Sequence, residues 1–283
     1  MPRNVDGLTS STLKHLRERW WNESFTAFLR DTLQPKSGRR ILDIGCGTGT
    51  AEVSLSRLRL PQVELVAVDL LPDRVATALG ATRAHNIRAQ FAAADACSLP
   101  FNDAAFDSTF CVAVLQHITD TPRAVGEMAR VTRSGGRVVA VEPDNAARYF
   151  YSSSSEGMEA HEAAGRLFAT IEEAEGEAGD PAVGPALPEL FSQSGIEPLS
   201  VHLFPVSRAQ LGAPPDEVWE ERREAVRHAI DAAPGESIRR LGQDYLKLID
   251  RYAAAARSAG TSFVEIQNTM LFATVGQRVN SEY

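Results

Sequence analysis

The chain has 283 residues, of which 43% are hydrophobic, and this is enough to bury one large core in an α/β fold. Acidic residues outnumber basic residues by 37 to 29, so the formal net charge is −8. Such a chain lacks the overall positive field that binds a phosphate backbone, and we do not expect a nucleic-acid substrate. The three cysteines form no CxxC pair, which favours reduced thiols over a disulfide framework or a zinc site.

The amino-terminal stretch MPRNVDGLTSS lacks the apolar segment of a signal peptide. No run in the sequence approaches the roughly 18 apolar residues that span a membrane. We therefore expect a cytoplasmic protein without a membrane span, and the sequence leaves its oligomeric state open.

The first predicted element is a helix over residues 10–33, because apolar side chains recur there at helical spacing before Pro35 and Gly38. These apolar residues are Leu13, Leu16, Trp20, Phe25 and Leu29. We interpret residues 1–38 as a helical flap. Such a helix either docks on the sheet or closes over a bound ligand, and the pattern alone leaves both possibilities open.

Strand-like and helix-like segments alternate between residues 39 and 144. The predicted strands are short apolar runs at residues 40–45, 63–70, 87–95, 106–115 and 137–144. Apolar runs separated by helical patterns are typical of a parallel sheet that is covered on both faces, and right-handed crossovers then give a doubly wound α/β fold. The helix before the fifth strand has a candidate N-cap at Asp120.

Residues 145–283 are predicted to complete the same domain. Helical cover is expected over residues 145–180 and 208–260, with a helix, a turn at Gly195 and a further strand between the two. The roughly fifty residues before the long final strand are too many for a hairpin loop, so we interpret them as a helical insertion. The whole chain is then a single domain with a mostly parallel, seven-stranded sheet.

A glycine series follows the first strand in the stretch RRILDIGCGTGT, with Gly45, Gly47 and Gly49 at alternate positions. Glycine there indicates positive φ or an approach closer than a Cβ permits. The loop faces the carboxyl edge of the sheet, where ligands bind in doubly wound folds. A dinucleotide fingerprint needs a glycine at position 50, where the chain has Thr50. We expect the preceding Asp43 to satisfy N–H groups of the turn.

Residues 40–144 resemble the class I S-adenosylmethionine-dependent methyltransferases. LDIGCGTGT resembles the first motif of that family, which implies that four residues pass beneath the methionine and ribose parts of the cofactor. These residues are Gly45, Cys46, Gly47 and Gly49, and Asp43 belongs to the same site. VAVDL ends the second strand at Asp69, which the resemblance makes the acceptor of both ribose hydroxyls, with Leu70 beside it.

Two further motifs resemble the same family. FAAADACSLPF places Asp95 and Ala96 where the family binds the adenine, the acid accepting from the exocyclic amine. FDSTFCVAVLQHITD resembles the fourth motif, with Cys111 and Val112 where the family holds the ammonium group of the cofactor by backbone carbonyls. Several motifs in order and at fitting spacing are more specific than one glycine series.

The resemblance implies an enzyme that moves a methyl group from S-adenosylmethionine to a small-molecule acceptor, leaving S-adenosylhomocysteine. The layout is similar to that of enzymes of quinone and secondary-metabolite biosynthesis, which methylate O, N or C atoms. No metal is required, and the six histidines show no metal-ligand spacing. A NAD-dependent oxidoreductase and a catalytically silent cofactor-binding subunit remain as alternatives.

His117 is the candidate catalytic residue, because it follows the fourth strand at the edge where the acceptor would lie. A neutral imidazole there could take a proton from a hydroxyl or amine. His117 could instead cap the next turn or only position the acceptor. If it is not the base, Glu142, Asp144 or a tyrosine of residues 149–151 is next in line.

Overall fold

The computed structural model describes residues 20–57, 63–85, 87–175, 179–232 and 235–279. The chain divides into two compact units. We call the first the core unit, which comprises Glu18–Ala146, Gly179–Phe204 and Met270–Tyr283. The second, the helical unit, comprises, within the described part of the chain, Ala147–Ala178 and Pro205–Thr269.

Seven strands form one sheet in the order β3-β2-β1-β4-β5-β7-β6. The first four pairs in that order are parallel. The strand order reverses beside β1, between its neighbours β2 and β4, which is the topological switch point of such a fold. The expected doubly wound, mostly parallel, seven-stranded sheet is therefore confirmed. The strands are β1 (Arg40–Ile44), β2 (Glu64–Asp69), β3 (Ala89–Ala93), β4 (Phe106–Val112), β5 (Thr132–Ser152), β6 (Ile196–Leu211) and β7 (Val264–Arg278).

Eight α-helices are described along the chain. Asp120 accepts from the Arg123 backbone N–H at 3.1 Å, which confirms the predicted N-cap of the fourth helix. No helix among the described residues is long and apolar enough to cross a membrane. The helices are α1 (Glu23–Leu33), α2 (Thr50–Ser56), α3 (Pro72–Ala84), α4 (Thr121–Val131), α5 (Ser155–Glu175), α6 (Leu187–Gln193), α7 (Asp216–Ala232) and α8 (Glu236–Ala259).

The predicted amino-terminal helix is interrupted. Trp20 is helical, the chain bends at Trp21 and Asn22, and a new helix begins at Glu23, where the Asn22 side chain accepts from the Phe25 N–H at 2.9 Å and caps it. Residues 10–19 of the predicted helix lie outside the described residues. Phe25 and Leu29 are buried within the core unit, so this part of the predicted flap is docked.

Two strands are longer than predicted. β5 continues past residue 144 to Ser152, so α5 begins at Ser155 rather than near 145. β6 likewise continues through residues 208–211, where a helix was expected. Aromatic residues fit a pleated surface, and the run Tyr149–Tyr151 favours continued extension. The predicted helical insertion is confirmed by α7 and α8, which lie between β6 and β7.

The apolar core of the core unit positions the strand ends. Val125 and Met128 of α4 pack with Cys111 of β4 and Val138 of β5, and all are at most 1% exposed. Burial of a side chain of this size contributes about 1.5–3 kcal/mol, which fixes the helix against the sheet. The carboxyl ends of β1, β2 and β4 therefore lie on a rigid platform.

The helical unit has a core of its own, with an ion pair inside it. Arg222 makes two hydrogen bonds to the buried Glu265 carboxylate, at 2.7 and 3.0 Å, and its guanidinium lies 4.7 Å from the centre of the Trp219 ring. The Tyr252 hydroxyl donates to Glu265 at 2.6 Å. Burial acts to raise the pKa of Glu265. The charge and hydrogen bonds of Arg222, together with the Tyr252 hydroxyl, outweigh this effect and lower the pKa. The buried charges are thus fully paired.

Candidate cofactor site

The loop between β1 and α2 is held by backbone donors that point to the end of β2. The N–H groups of Gly45 and Cys46 donate to the Val68 carbonyl at 2.7 and 2.9 Å. The Gly47 N–H donates to the Asp69 carboxylate at 2.9 Å. The expectation that Asp43 satisfies the N–H groups of this turn is therefore wrong, because the neighbouring strand already supplies their acceptors.

Two glycines of this loop are required by the protein's own packing. Gly45 has a φ of +77°, and a Cβ there would overlap the side chain of Val114. Gly49 has a φ of +85°, and a Cβ there would lie 3.1 Å from the Ala78 Cα of α3. What approaches these two glycines is thus the turn after β4 and a helix.

Asp43 forms a buried pair with Glu52, a residue that the sequence did not single out. Their side chains are 2% and 1% exposed and lie close enough for each carboxyl to shift the pKa of the other. Asp43 Oδ2 and both carboxyl oxygens of Glu52 receive no hydrogen bond from a donor group of any described residue. Burial raises the pKa of Asp43 well above its usual range, and the charge of Glu52 adds to this effect. Burial also raises the pKa of Glu52, so the pair holds a proton more readily than two exposed carboxyl groups would.

The Cys46 thiol lies beside this pair. Burial is the main reason why its pKa is raised, and the charges of Asp43, Glu52 and Asp69 act in the same direction. A thiolate is the reactive form of cysteine, so Cys46 is unsuited to be a nucleophile. The loop is accordingly an acidic environment that disfavours a further negative charge.

Asp69 ends β2 with a carboxylate that two backbone donors orient. Oδ2 accepts from Gly47, and Oδ1 accepts from the Leu71 N–H at 3.0 Å. Each carboxylate has about four acceptor positions, so capacity remains for two hydroxyl groups. Asp69 is 5% exposed, whereas the neighbouring Leu70 is 66% exposed and lies at the open side of the strand end.

Asp95 follows β3, the strand that pairs with β2. It accepts from the Cys97 N–H at 2.8 Å, and it bridges to Ser98, so a short turn presents its exposed carboxylate. Ala96 within this turn is half-buried. Because β2 and β3 are parallel, Asp95 and Asp69 lie at the same edge of the sheet.

The end of β4 makes a turn that Glu142 of β5 holds. One carboxyl oxygen of Glu142 accepts from the N–H groups of Val114 and Leu115, each at 2.8 Å. Glu142 is fully buried, and burial raises its pKa to about 7 although these hydrogen bonds oppose the shift. The sequence indicates this role only by an acidic residue, Glu142, within the apolar strand VVAVEPD. Glu142 therefore holds the turn after β4 through its carboxyl group. This is the same carboxyl group that the sequence suggested as an alternative to His117 as the base.

The fourth predicted motif lies directly before this turn. Cys111 is fully buried, Val112 is half-buried, and Ala113 has a φ of +56°, which a residue other than glycine rarely adopts. His117 is exposed in the short 3-10 turn Leu115–His117. Strained backbone of this kind is concentrated at ligand sites. The turn after β4 thus determines the course of the backbone at the carboxyl edge of the sheet.

The predicted site residues converge at one edge, because they follow the carboxyl ends of parallel strands. The edge is rich in acceptors. The acidic pair of Asp43 and Glu52 lacks a cation, and no described residue forms an ion pair with either carboxyl. A cofactor with a positive charge, hydroxyls and an amine fits this set. A diphosphate does not, because the N–H groups of Gly45, Cys46, Gly47 and Gly49 are already bonded and the nearby acids would repel it.

The described residues contain no group of three or more side chains arranged to hold a metal ion.

Residues 42–140 match the family model described as a methyltransferase domain. The chain is 37% identical to a demethylmenaquinone methyltransferase from Thermus thermophilus, over 42% of this chain and 56% of that protein. It is 35% identical to the O-methyltransferase cnsE from Penicillium expansum, over 38% of this chain and 39% of that protein. The chain thus matches about half the length of these relatives, or less.

A solved structure of geranyl diphosphate methyltransferase in complex with SAM is similar to this chain. The TM-score is 0.52 at 15% identity, over 96% of this chain and 92% of that chain. An identity this low shows the fold alone. Residues 42–140 of this chain match a methyltransferase domain, and the chain has the fold of a methyltransferase that was solved with S-adenosylmethionine bound.

Proposed function

We propose that the protein transfers a methyl group from S-adenosylmethionine to an O, N or C atom of a small-molecule acceptor. The observation that carries the proposal is the acidic, acceptor-rich edge, where Asp43, Glu52 and Asp69 surround a loop whose N–H groups are already bonded. This environment complements a cation. The names of the relatives support a small organic acceptor, of the kind found in quinone and secondary metabolism.

When bound, S-adenosylmethionine supplies a methyl group already activated by a sulfonium centre. Asp69 would hold the ribose hydroxyls, and Asp95 would accept from the adenine amine beside Ala96. The backbone carbonyls of Cys111 and Val112 would hold the ammonium group. These contacts orient the reacting centre and exclude water, which is the main contribution of the protein to an in-line displacement. The cofactor would lie over the loop that contains Gly45, Cys46, Gly47 and Gly49. Leu70 would lie at the margin of this loop.

His117 would act on the acceptor. It lies at the carboxyl end of β4, and an imidazole there would take a proton from an acceptor hydroxyl or amine. An acceptor without such a proton would need His117 for position only. A cytoplasmic setting is part of the proposal, supported by the free thiols of Cys46, Cys97 and Cys111.

Calorimetric titration of the full chain with S-adenosylmethionine, S-adenosylhomocysteine and NAD tests the cofactor. We expect both sulfur compounds to bind and NAD to give no heat. Binding of NAD alone would support the oxidoreductase and contradict the proposal.

A screen for the acceptor follows, with S-adenosylmethionine that carries a labelled methyl group. Phenols, quinols, amines and carbon nucleophiles are incubated with the protein, and label in the product is measured. We expect transfer to at least one class. Tight cofactor binding without transfer to any physiological acceptor would favour the catalytically silent subunit.

A further inference from the structure

Glu52 occupies a position that no feature of the fold requires to be acidic. It lies in the first turn of α2, is 1% exposed, and neither of its carboxyl oxygens has a hydrogen-bond partner among the described residues. An ionised carboxylate in such a place, without a cation or an N–H donor, is very costly. A buried acidic side chain without a partner can be retained at a ligand site because the bound ligand supplies the missing partner.

We propose that Glu52 is a positioning residue of the cofactor site: together with Asp43 it shares one proton at the base of the glycine loop, and the pair releases that proton to solvent when a cationic cofactor binds. The inference rests on the proposed function. It adds to the site a residue and a proton that the four motifs do not contain.

The surroundings of the pair are acidic on each side that packs against it. Asp69 at the end of β2 faces Asp43, and the thiol of Cys46 lies between them in the loop. On the other side the buried Cys111 of β4 is close enough to Asp43 for its thiol pKa to be raised by that carboxyl. No described lysine or arginine forms an ion pair with Asp43 or Glu52. A second full negative charge therefore cannot be accommodated until a cation arrives.

A shared proton has a measurable consequence through linkage. If binding expels a proton, affinity must rise with pH, by up to about tenfold per pH unit while the free pair is protonated. The released proton must also appear in the buffer. Neither effect is expected from a Glu52 that only fills space in α2.

The test is calorimetric titration of the full chain with S-adenosylmethionine near neutral pH, in buffers whose ionisation heats differ. We expect the apparent binding heat to change with the ionisation heat of the buffer, by an amount that corresponds to the release of up to about one proton per site. Glu52→Gln removes the negative charge that raises the pKa of Asp43, so Asp43 is less protonated before the cofactor binds. In this variant we expect the cofactor to bind with less proton release than in the original chain.

Glu189→Gln is the matched control, because it makes the same chemical change on an exposed helix of the core unit. It should release as many protons as the original chain. If Glu52→Gln does not fold, the pH profile of affinity in the unmodified protein decides, since an affinity that does not rise with pH contradicts the inference.

The outcomes separate the two proposals. Absence of any binding heat in the unmodified protein would overturn the proposed function itself. Binding whose heat is the same in all buffers would leave that function standing and overturn the inference. Undiminished release in Glu52→Gln would also overturn it, by assigning the proton to another group such as Glu142.

Discussion

Asp69 combines two tasks at one carboxylate, because it orients the glycine loop through Gly47 and lies where the ribose is expected. We predict that Asp69→Ala weakens S-adenosylhomocysteine binding by about 1–3 kcal/mol, since hydrogen bonds to the ligand are lost and a loop N–H loses its acceptor. Calorimetry measures the change. Asp69→Asn retains one side-chain oxygen and should lose less. Unchanged affinity in Asp69→Ala would show that the ribose lies elsewhere.

His117 is the residue whose role geometry alone leaves as a prediction. If it is the base, His117→Ala should lower turnover by about 10²–10⁴ while cofactor affinity stays nearly the same. Steady-state rates with the identified acceptor and calorimetry with S-adenosylhomocysteine give the two readouts. His85→Ala, an exposed histidine at the end of α3, is the matched control. Turnover above a tenth of normal in His117→Ala would exclude the base role.

At the scale of elements, the turn after β4 depends on the buried carboxyl of a neighbouring strand. The folded state raises the pKa of Glu142 from 4.5 to about 7, so it favours the protonated form. The contribution of this group to stability is therefore full below pH about 4.5 and is lost as pH rises through about 7. The folded state should therefore be less stable above neutral pH, where Glu142 must be ionised in a buried position.

We predict that the free energy of unfolding of the original chain, relative to that of Glu142→Gln, falls between pH 5 and pH 8 by an amount on the order of a few kcal/mol. The amide keeps an acceptor for Val114 and Leu115 but does not titrate. Denaturant titrations at each pH supply the values. Asp43 and Glu52 are present in both proteins, so their titration cancels in the difference. A difference that is independent of pH would contradict the raised pKa.

Much of the sheet could be predicted from the sequence, because buried parallel strands are continuous apolar runs and the glycine series marks the first turn. The ends of β5 and β6 could not, since the helical pattern that follows each strand does not show at which residue the helix begins. The break before Glu23 was hidden because helical spacing continues across Asn22.

The candidate site was predictable where a motif and a strand end coincide, as at Asp69 and Asp95. Glu52 was not, because its partner Asp43 precedes the loop and nothing in a helix of mixed polarity shows which side is buried. Glu142 gave a weak signal as an acid inside an apolar strand. The pair of Arg222 and Glu265 gave none, since 43 residues separate its members.

At the scale of the whole molecule, each unit is built from separate stretches of the chain, and each has its own buried core. The sequence shows no boundary between the units, because β5, β6 and β7 each begin in one and end in the other. The interpretation of residues 1–283 as one methyltransferase domain stays a prediction.

The stability of the helical unit should depend strongly on the ion pair between Arg222 and Glu265. Glu265→Ala leaves the half-buried Arg222 guanidinium without its carboxylate and the Tyr252 hydroxyl without its acceptor, and we expect a loss of about 1.5–3 kcal/mol in unfolding free energy. Glu159→Ala breaks the exposed pair with Arg251 in the same unit and should cost at most about 1 kcal/mol. Denaturant titration of both variants makes the comparison. Equal losses would contradict a special role for the buried pair.

The contact between Gly45 and Val114 sets an order on the changes this site can accumulate in evolution. An alanine at 45 has no room until the residue at 114 has become smaller, so the second position must change first. Lineages that keep a branched residue at 114 are held to glycine at 45, whatever ligand they bind. The first glycine of the motif would therefore survive even in a descendant that had lost its cofactor, and its presence alone is a record of packing rather than of activity.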